Sequence, residues 1–226
     1  MKRLVLLFIA SCTLLIAEQI SPKQLLIVTT KNWDAPQGSL QRYENIDGKW
    51  KKIGKKIKIF VGEKGLAWGS GLHTPQQGLQ KKEGDRKAPA GIFSLQEAFG
   101  YEPLDINYPY LVMTKHHHCV DDSNSKWYNQ VIDSREIAKD YTSHEVMRFD
   151  ANYYRYGIMV GHNRANKPYG GSCIFIHIKD IPTMGCTAML ENEMVEILRW
   201  LNPASDPLLI QAPKSEIKRL LAPFGL

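Results

Sequence analysis

The apolar positions of this chain fall mostly in short runs bounded by glycine, proline and charged residues, a pattern of strands rather than helices. Leu25 to Thr30 (LLIVTT) is a β-branched run that predicts a first strand. Ser39 to Asn45 and Trp50 to Ile53 flank Asp47-Gly48, a dipeptide suited to a tight hairpin turn. Ile57, Ile59 and Val61 alternate with Lys58 and Phe60, as in a half-buried strand. Gly62 to Gly91 is rich in Gly, Pro and charge and reads as surface loop. Further strands are predicted over Ala88 to Leu95, Tyr108 to Thr114, Tyr154 to Val160, Cys173 to Ile178 and Leu208 to Gln211. Between them, Ser123 to Tyr141 is polar and irregular, with short helical turns around Arg135 to Lys139 and a turn of helix capped by Ser143. Leu190 to Leu201 is the clearest helix: Met194, Ile197, Leu198 and Leu201 share a face, and Glu191 and Glu193 sit near its positive amino-terminal end. Ser215 to Leu221 predicts a closing helix. The expected fold is mainly β with a few helices.

Composition sharpens this only slightly. At 226 residues and 43% hydrophobic content the chain can bury a substantial core, and it shows no repeat, low-complexity tract or interdomain linker. Net charge is +6, with basic residues gathered from Lys49 to Lys58 (KWKKIGKKIK). The bland reading of that run is the solvated face of a strand pair; the other is a surface that sits against a polyanionic cell wall. No recognition helix or stacking platform accompanies it, so no nucleic-acid partner is expected.

Residues 1–17, MKRLVLLFIASCTLLIA, read as a secretory signal, with two positive charges, an apolar run and a small residue before Glu18. Residues 18–226 are then one domain. The apolar run is too short for a membrane span. Ile9-Ala10-Ser11-Cys12 also resembles a lipoprotein cleavage box, although the apolar run continues past Cys12; membrane attachment is expected only if Cys12 is lipidated. Removing Cys12 leaves Cys119, Cys173 and Cys186, an odd number in a compartment that permits disulfides. Cys186, after Gly185, is the candidate free thiol, while Cys119 and Cys173 are either a disulfide or two unlinked buried thiols.

The chemistry concentrates in Gly170 to Met189, GGSCIFIHIKDIPTMGCTAM. His177 ends an apolar strand, Pro182 favours a turn, and Cys186 follows Gly185 shortly before a helix. A nearby histidine or helix amino terminus can activate a thiol, and backbone N–H groups around Gly185 and Cys186 can receive an oxyanion. On the pair alone, a packed cysteine with a satisfied core histidine is the favoured reading. His116, His117, His118 and Cys119 invite a metal reading, but adjacent residues of a strand alternate faces and no second ligand pair sits at zinc spacing. No metal and no cofactor are expected.

GGSCIFIHI followed by PTMGCTAM resembles the catalytic stretch of the L,D-transpeptidase (YkuD-like) family of bacterial cell-wall enzymes, in a branch with a short histidine-to-cysteine loop. KKEGDRKAPAGIFSL resembles that family's basic-Glu-Gly-Asp run leading into a Thr/Ala-Pro-Ala-Gly strand. Cys119-Val120-Asp121-Asp122, Trp127-Tyr128-Asn129 and the strand before Gly161-His162-Asn163 fit the same branch, so that the resemblance spans about Gly84 to Leu209. It implies a β-sandwich-like catalytic domain in the periplasm or cell envelope whose partners are peptidoglycan stem peptides. Cys186 would be the nucleophile on the bond between a third-position diamino acid and D-alanine, with His177 as proton donor and acceptor. Resolution of the thioacyl-enzyme by an amine gives a 3→3 cross-link, and by water L,D-carboxypeptidase activity; a catalytically silent wall-binding protein is the remaining alternative.

Two positions depart from the commoner pattern of the family. Met184 stands where a histidine is usual and Ala188 where Arg or Asn is usual, while Thr183 matches. Gly185, Thr183, Met184 and His162 are the expected oxyanion or substrate-binding residues, with His162 either a polar replacement for the missing groups or a structural strand-end residue.

Overall fold

A computed structural model of the protein describes residues 21–226; the leader reading of residues 1–17 and the lipidation reading of Cys12 lie outside the described residues. In chain order the strands are β1 Gln24–Thr30, β2 Gln37–Ile46, β3 Lys49–Phe60, β4 Leu66–Trp68, β5 Ala88–Gly100, β6 Tyr110–Val112, β7 His117–Val120, β8 Val131–Asp133, β9 His144–Val146, β10 Tyr156–Val160, β11 Phe175–Ile178, β12 Thr187–Met189 and, after helix α1 Glu191–Trp200, β13 Leu208–Pro213, which runs directly into helix α2 Lys214–Leu221.

The mainly β expectation holds, and the layering takes the form of a sheet closed on itself. Pairings run β5-β10-β11-β12-β3-β2-β1-β13 and return from β13 to β5, an eight-strand ring. Most neighbours are antiparallel, but β1 with β13 and β11 with β12 are parallel. The 13-residue β5 is long enough to hold β4 and β6 at its two ends as well. A separate three-stranded sheet, β8-β7-β9, lies beside the ring.

Alternation explains which side of each ring strand is apolar. Leu26 and Val28 of β1, Leu40 of β2 and Ile57 and Ile59 of β3 are all fully or almost fully buried in the main core. The amphipathic face of α1 buries Met194, Ile197 and Leu198, and its start is tied down by the Glu193 carboxylate, which accepts from the Leu190 N–H at 3.3 Å.

Several local expectations change. Trp50 to Ile53 and Ile57 to Val61 belong to one strand, β3, which passes through Gly54 at φ 62°, where a Cβ would strike the Arg42 guanidinium at 2.4 Å. The stretch Gly62 to Gly91 is mostly loop but contains β4, whose Leu66, Ala67 and Trp68 are buried by parallel pairing to β5. Residues 144–146 form β9 against β7 instead of a helical turn, because ladder bonds to β7 outweigh the capping signal of Ser143. Tyr154 ends a 3₁₀ turn, and the strand expected from it begins at Tyr156.

Candidate active site

Strand β11 places Phe175 and His177 on one face. Its parallel neighbour β12 sets Ala188 opposite His177 and Thr187 opposite Ile176, so Cys186, one residue before β12, comes level with Phe175 on that same face. The Phe175 N–H donates to Cys186 Sγ at 3.3 Å, and the thiol in turn donates to the Cys173 carbonyl at 3.4 Å. The loop between the strands is pinned by Thr183. Its N–H donates to the Val61 carbonyl (2.9 Å), its hydroxyl donates to the Cys186 carbonyl (2.7 Å), and that hydroxyl accepts from the Gly185 N–H (3.1 Å). Thr183 thus shapes the turn that returns Cys186 to β11, and the Gly185 N–H is already engaged within it.

Cys186 and His177 line one cavity of about 330 Å³, together with Thr183, Met184 and Gly185. Met184 stands at its rim, 61% exposed. His162 is not brought to this cavity. It is buried elsewhere, with Nδ1 accepting from the Ser70 N–H (3.2 Å) and Nε2 donating to the Gly170 carbonyl (3.0 Å). Both ring nitrogens are used in holding loops together, which fits the structural alternative for this residue and corrects its expectation as a substrate contact.

The imidazole of His177 is oriented by backbone alone. Its Nδ1 lies 3.1 Å from the Ile178 carbonyl and 3.3 Å from the Tyr153 carbonyl, so Nδ1 carries the hydrogen and Nε2 is left as the acceptor. The ring of Tyr154 packs edge-on against it, with centroids 5.1 Å apart. Burial pushes the His177 pKa down to about 4. Burial pushes the Cys186 thiol far up, and the nearby Glu145 carboxyl adds to the rise. Thiol and imidazole are therefore both neutral at rest.

Sequence reading missed the second layer of the site. Tyr154 donates its hydroxyl to Glu145, a carboxyl on β9 that burial raises to about 7, with Asp121 and Glu83 adding to the rise and the Tyr154 bond opposing it. Glu83 accepts from the Tyr128 hydroxyl and from Ser172 Oγ (2.7 Å). Lys81 is buried and paired with Asp85 at 2.6 Å. Glu83 lies in a quoted motif, but nothing in the sequence marks Glu145 or Tyr154, whose places depend on pairing of β9 with β7.

Cys119 and Cys173 are joined in a disulfide with Cα atoms 5.9 Å apart, leaving Cys186 as the free cysteine among the described residues. The bridge ties β7 of the small sheet to the segment that enters β11. Cys173 itself has φ 54°, a left-handed conformation, and its N–H donates to Asn129 Oδ1 at 3.0 Å. Two of the three histidines before Cys119 serve separate local contacts. His117 Nδ1 accepts from the Thr114 N–H (3.0 Å), and His118 bonds the Tyr141 hydroxyl (2.8 Å) and stacks on His144 at 4.0 Å. Among the described residues no group of three His, Cys, Asp or Glu side chains is placed to hold a metal ion.

No family model matches the chain, and no curated protein matches it. Two solved structures are similar. The helical cell shape determining protein Pgp2 from Campylobacter jejuni is 18% identical over 86% of this chain and 50% of its own, with a TM-score of 0.42. Bdellovibrio bacteriovorus Bd1075 is 14% identical over 90% of this chain and 55% of its own, with a TM-score of 0.40. The chain spans about half the length of these two structures. Likeness at this level bears on neither activity nor substrate. Among the described residues no helix is long and apolar enough to cross a membrane.

Proposed function

We propose that the protein is an exported, cysteine-dependent acyl-transfer enzyme of the cell envelope, acting as an L,D-transpeptidase on peptidoglycan stem peptides. The observation that carries this reading is the shared cavity of Cys186 and a His177 whose Nδ1 is committed to backbone carbonyls, leaving Nε2 to accept a proton.

In this reaction the Cys186 thiol turns from the Cys173 carbonyl and passes its proton to His177 Nε2 as Sγ attacks the carbonyl between the third and fourth stem residues. With the Gly185 N–H held by Thr183, the oxyanion is met by the N–H of Cys186 itself. His177 then gives the proton to the departing amine of D-alanine, and a thioester remains. An incoming amine from a second stem, deprotonated by His177, replaces the sulfur and restores the thiol. Met184 at the rim and Ala188 beside His177 supply no charge, so the carboxylates Glu83, Asp121 and Glu145 and the cations Lys81 and Lys179 that line the cavity are the groups left to orient the donor.

Enclosure of the site supports a second reading, L,D-carboxypeptidase activity. Cys186 is 7% exposed and the cavity holds about 330 Å³, a space that a donor stem end fills and that water enters more readily than a second stem. Incubation of the protein with disaccharide-tetrapeptide, followed by mass spectrometry, tests both. Cross-linked dimers indicate transfer and tripeptide alone indicates hydrolysis. Turnover unchanged in Cys186→Ala would overturn the cysteine mechanism, and absence of wild-type turnover, together with failure of a carbapenem-type β-lactam to acylate the thiol, would leave a catalytically silent wall-binding protein.

A further inference from the structure

The basic run on β3 does more than present charge to solvent. A groove of about 500 Å³ lies on the outer face of β1, β2 and β3, walled by α2, and it is lined by Lys31, Lys52, Lys56, Lys58 and Lys214. Cross-strand register builds it in rows: Ile27 pairs with Gln41, Thr29 with Ser39, Ser39 with Lys58 and Tyr43 with Lys52. Side chains of paired residues share a face, so the lysines stand beside the hydroxyls and amides of Thr29, Ser39 and Gln41 and the apolar side chains of Ile27, Ile217 and Leu221. No Asp or Glu lines the groove. None of the five lysines makes an ion pair among the described residues. Five cations converging on a concavity with no countercharge raise the local concentration of anions, and the hydroxyls and amides offer hydrogen bonds to a polar ligand.

The groove stands apart from the catalytic cavity. The two cavities share no residue, and β3 of the groove meets β12 at Phe60 opposite Ala188. A ligand in the groove therefore does not compete with a stem peptide at Cys186.

We propose that this groove is a second binding site, for the carboxylate-bearing strands of the peptidoglycan network, which holds the enzyme on the wall while Cys186 works on a separate stem. The proposal rests on the cell-wall reading of the catalytic site for the identity of the polyanion, while the groove's charge stands independently. A concave groove fits a polymer strand better than it fits a flat lipid surface.

The test is co-sedimentation of the full chain with purified, protein-free peptidoglycan sacculi at roughly 50 and 300 mM salt, between which the screening length falls about 2.4-fold. The wild type is expected to sediment at low salt and to be released at high salt. Lys52→Glu/Lys56→Glu/Lys58→Glu, changed at three exposed positions, is expected to bind at least tenfold more weakly at low salt. The corresponding triple Gln variant should fall between the two. All three should keep the same melting profile and the same turnover of soluble disaccharide-tetrapeptide. Sedimentation of the Glu variant equal to wild type overturns the proposal. So does charge-dependent binding to phosphatidylglycerol vesicles with none to sacculi, which would assign the groove to a membrane. If the wild type shows no turnover yet binds sacculi in a lysine-dependent way, the catalytic reading falls and the groove stands.

Discussion

The two faces of the ring handle polar groups in opposite ways. On the β10-β11-β12 side, the cavity is small and several of its groups are spoken for. Thr183 closes its own turn, Tyr154 holds Glu145, Ser172 and Tyr128 hold Glu83, and backbone carbonyls hold His177. On the β1-β2-β3 side, the groove is larger and its lysines make no ion pair among the described residues. Burial with assigned partners fixes position and protonation, as bond-making chemistry requires. Unpaired charge in water gives reach and reversibility, as attachment to a polymer requires. The fold thus holds a rigid site and a sticky one in neighbouring parts of one ring.

The strongest way to break this contrast is at the rigid site. His177→Ala should lower turnover of soluble disaccharide-tetrapeptide by at least about a thousandfold, while sedimentation with sacculi stays at the wild-type level. Next comes the disulfide. Cys119→Ser/Cys173→Ser opens a bridge across 54 residues, and chain entropy alone puts the loss at about 4 kcal/mol in urea unfolding. Turnover should fall with it, because the bridge steadies the carbonyl that holds the thiol.

Two buried titrations sharpen the same side. His162 is held neutral, with burial lowering it to about 4 from 6.5. Its contribution to stability is complete above pH 6.5 and is lost as pH falls through 4, about 3 kcal/mol in all. His162→Gln should therefore flatten the acid limb of stability measured against pH. Glu145 acts in the reverse sense, its raised pKa withdrawing stability between 4.5 and 7 as pH rises, so the His162 effect is read as the difference between the two proteins. For turnover, ionisation of Glu145 near pH 7 adds negative charge beside the thiol and disfavours the attacking thiolate. The rate should decline above that pH by severalfold, and Glu145→Gln should remove the decline while the limb near 4 from His177 persists. The smallest effect belongs to the sticky side: Lys52→Gln with Lys58→Gln should change unfolding free energy by no more than about 0.5 kcal/mol, since exposed strand lysines make few contacts.

How much of this was legible depended on how local each feature is. The hairpin at Asp47-Gly48 and the helix ending before Asn202 carry their own turn and periodicity signals, and both are found. Cys186 and His177 lie nine positions apart on adjacent strands, so a sequence motif could carry the pair. Glu145 and Tyr154 meet only after β9 pairs with β7 and the small sheet docks, and no local pattern encodes that. The lysine run of β3 was visible, yet the groove was not. Its far wall comes from Lys214 and Ile217, near the other end of the chain. Ring closure was hidden for the same reason, since the pairing of β1 with β13 joins residues almost the length of the domain apart.

The three cysteines of the described chain can form a single bridge in three ways, and only the bridge seen here leaves Cys186 with a thiol. Oxidation therefore acts as a quality decision. On the proposed mechanism, a chain that joins Cys186 to either of the others has the same mass and composition but is inert. Assembly in the correct order is thus part of what makes this sequence reactive, and any disulfide isomerase that sorts the three pairings would set the fraction of molecules able to work.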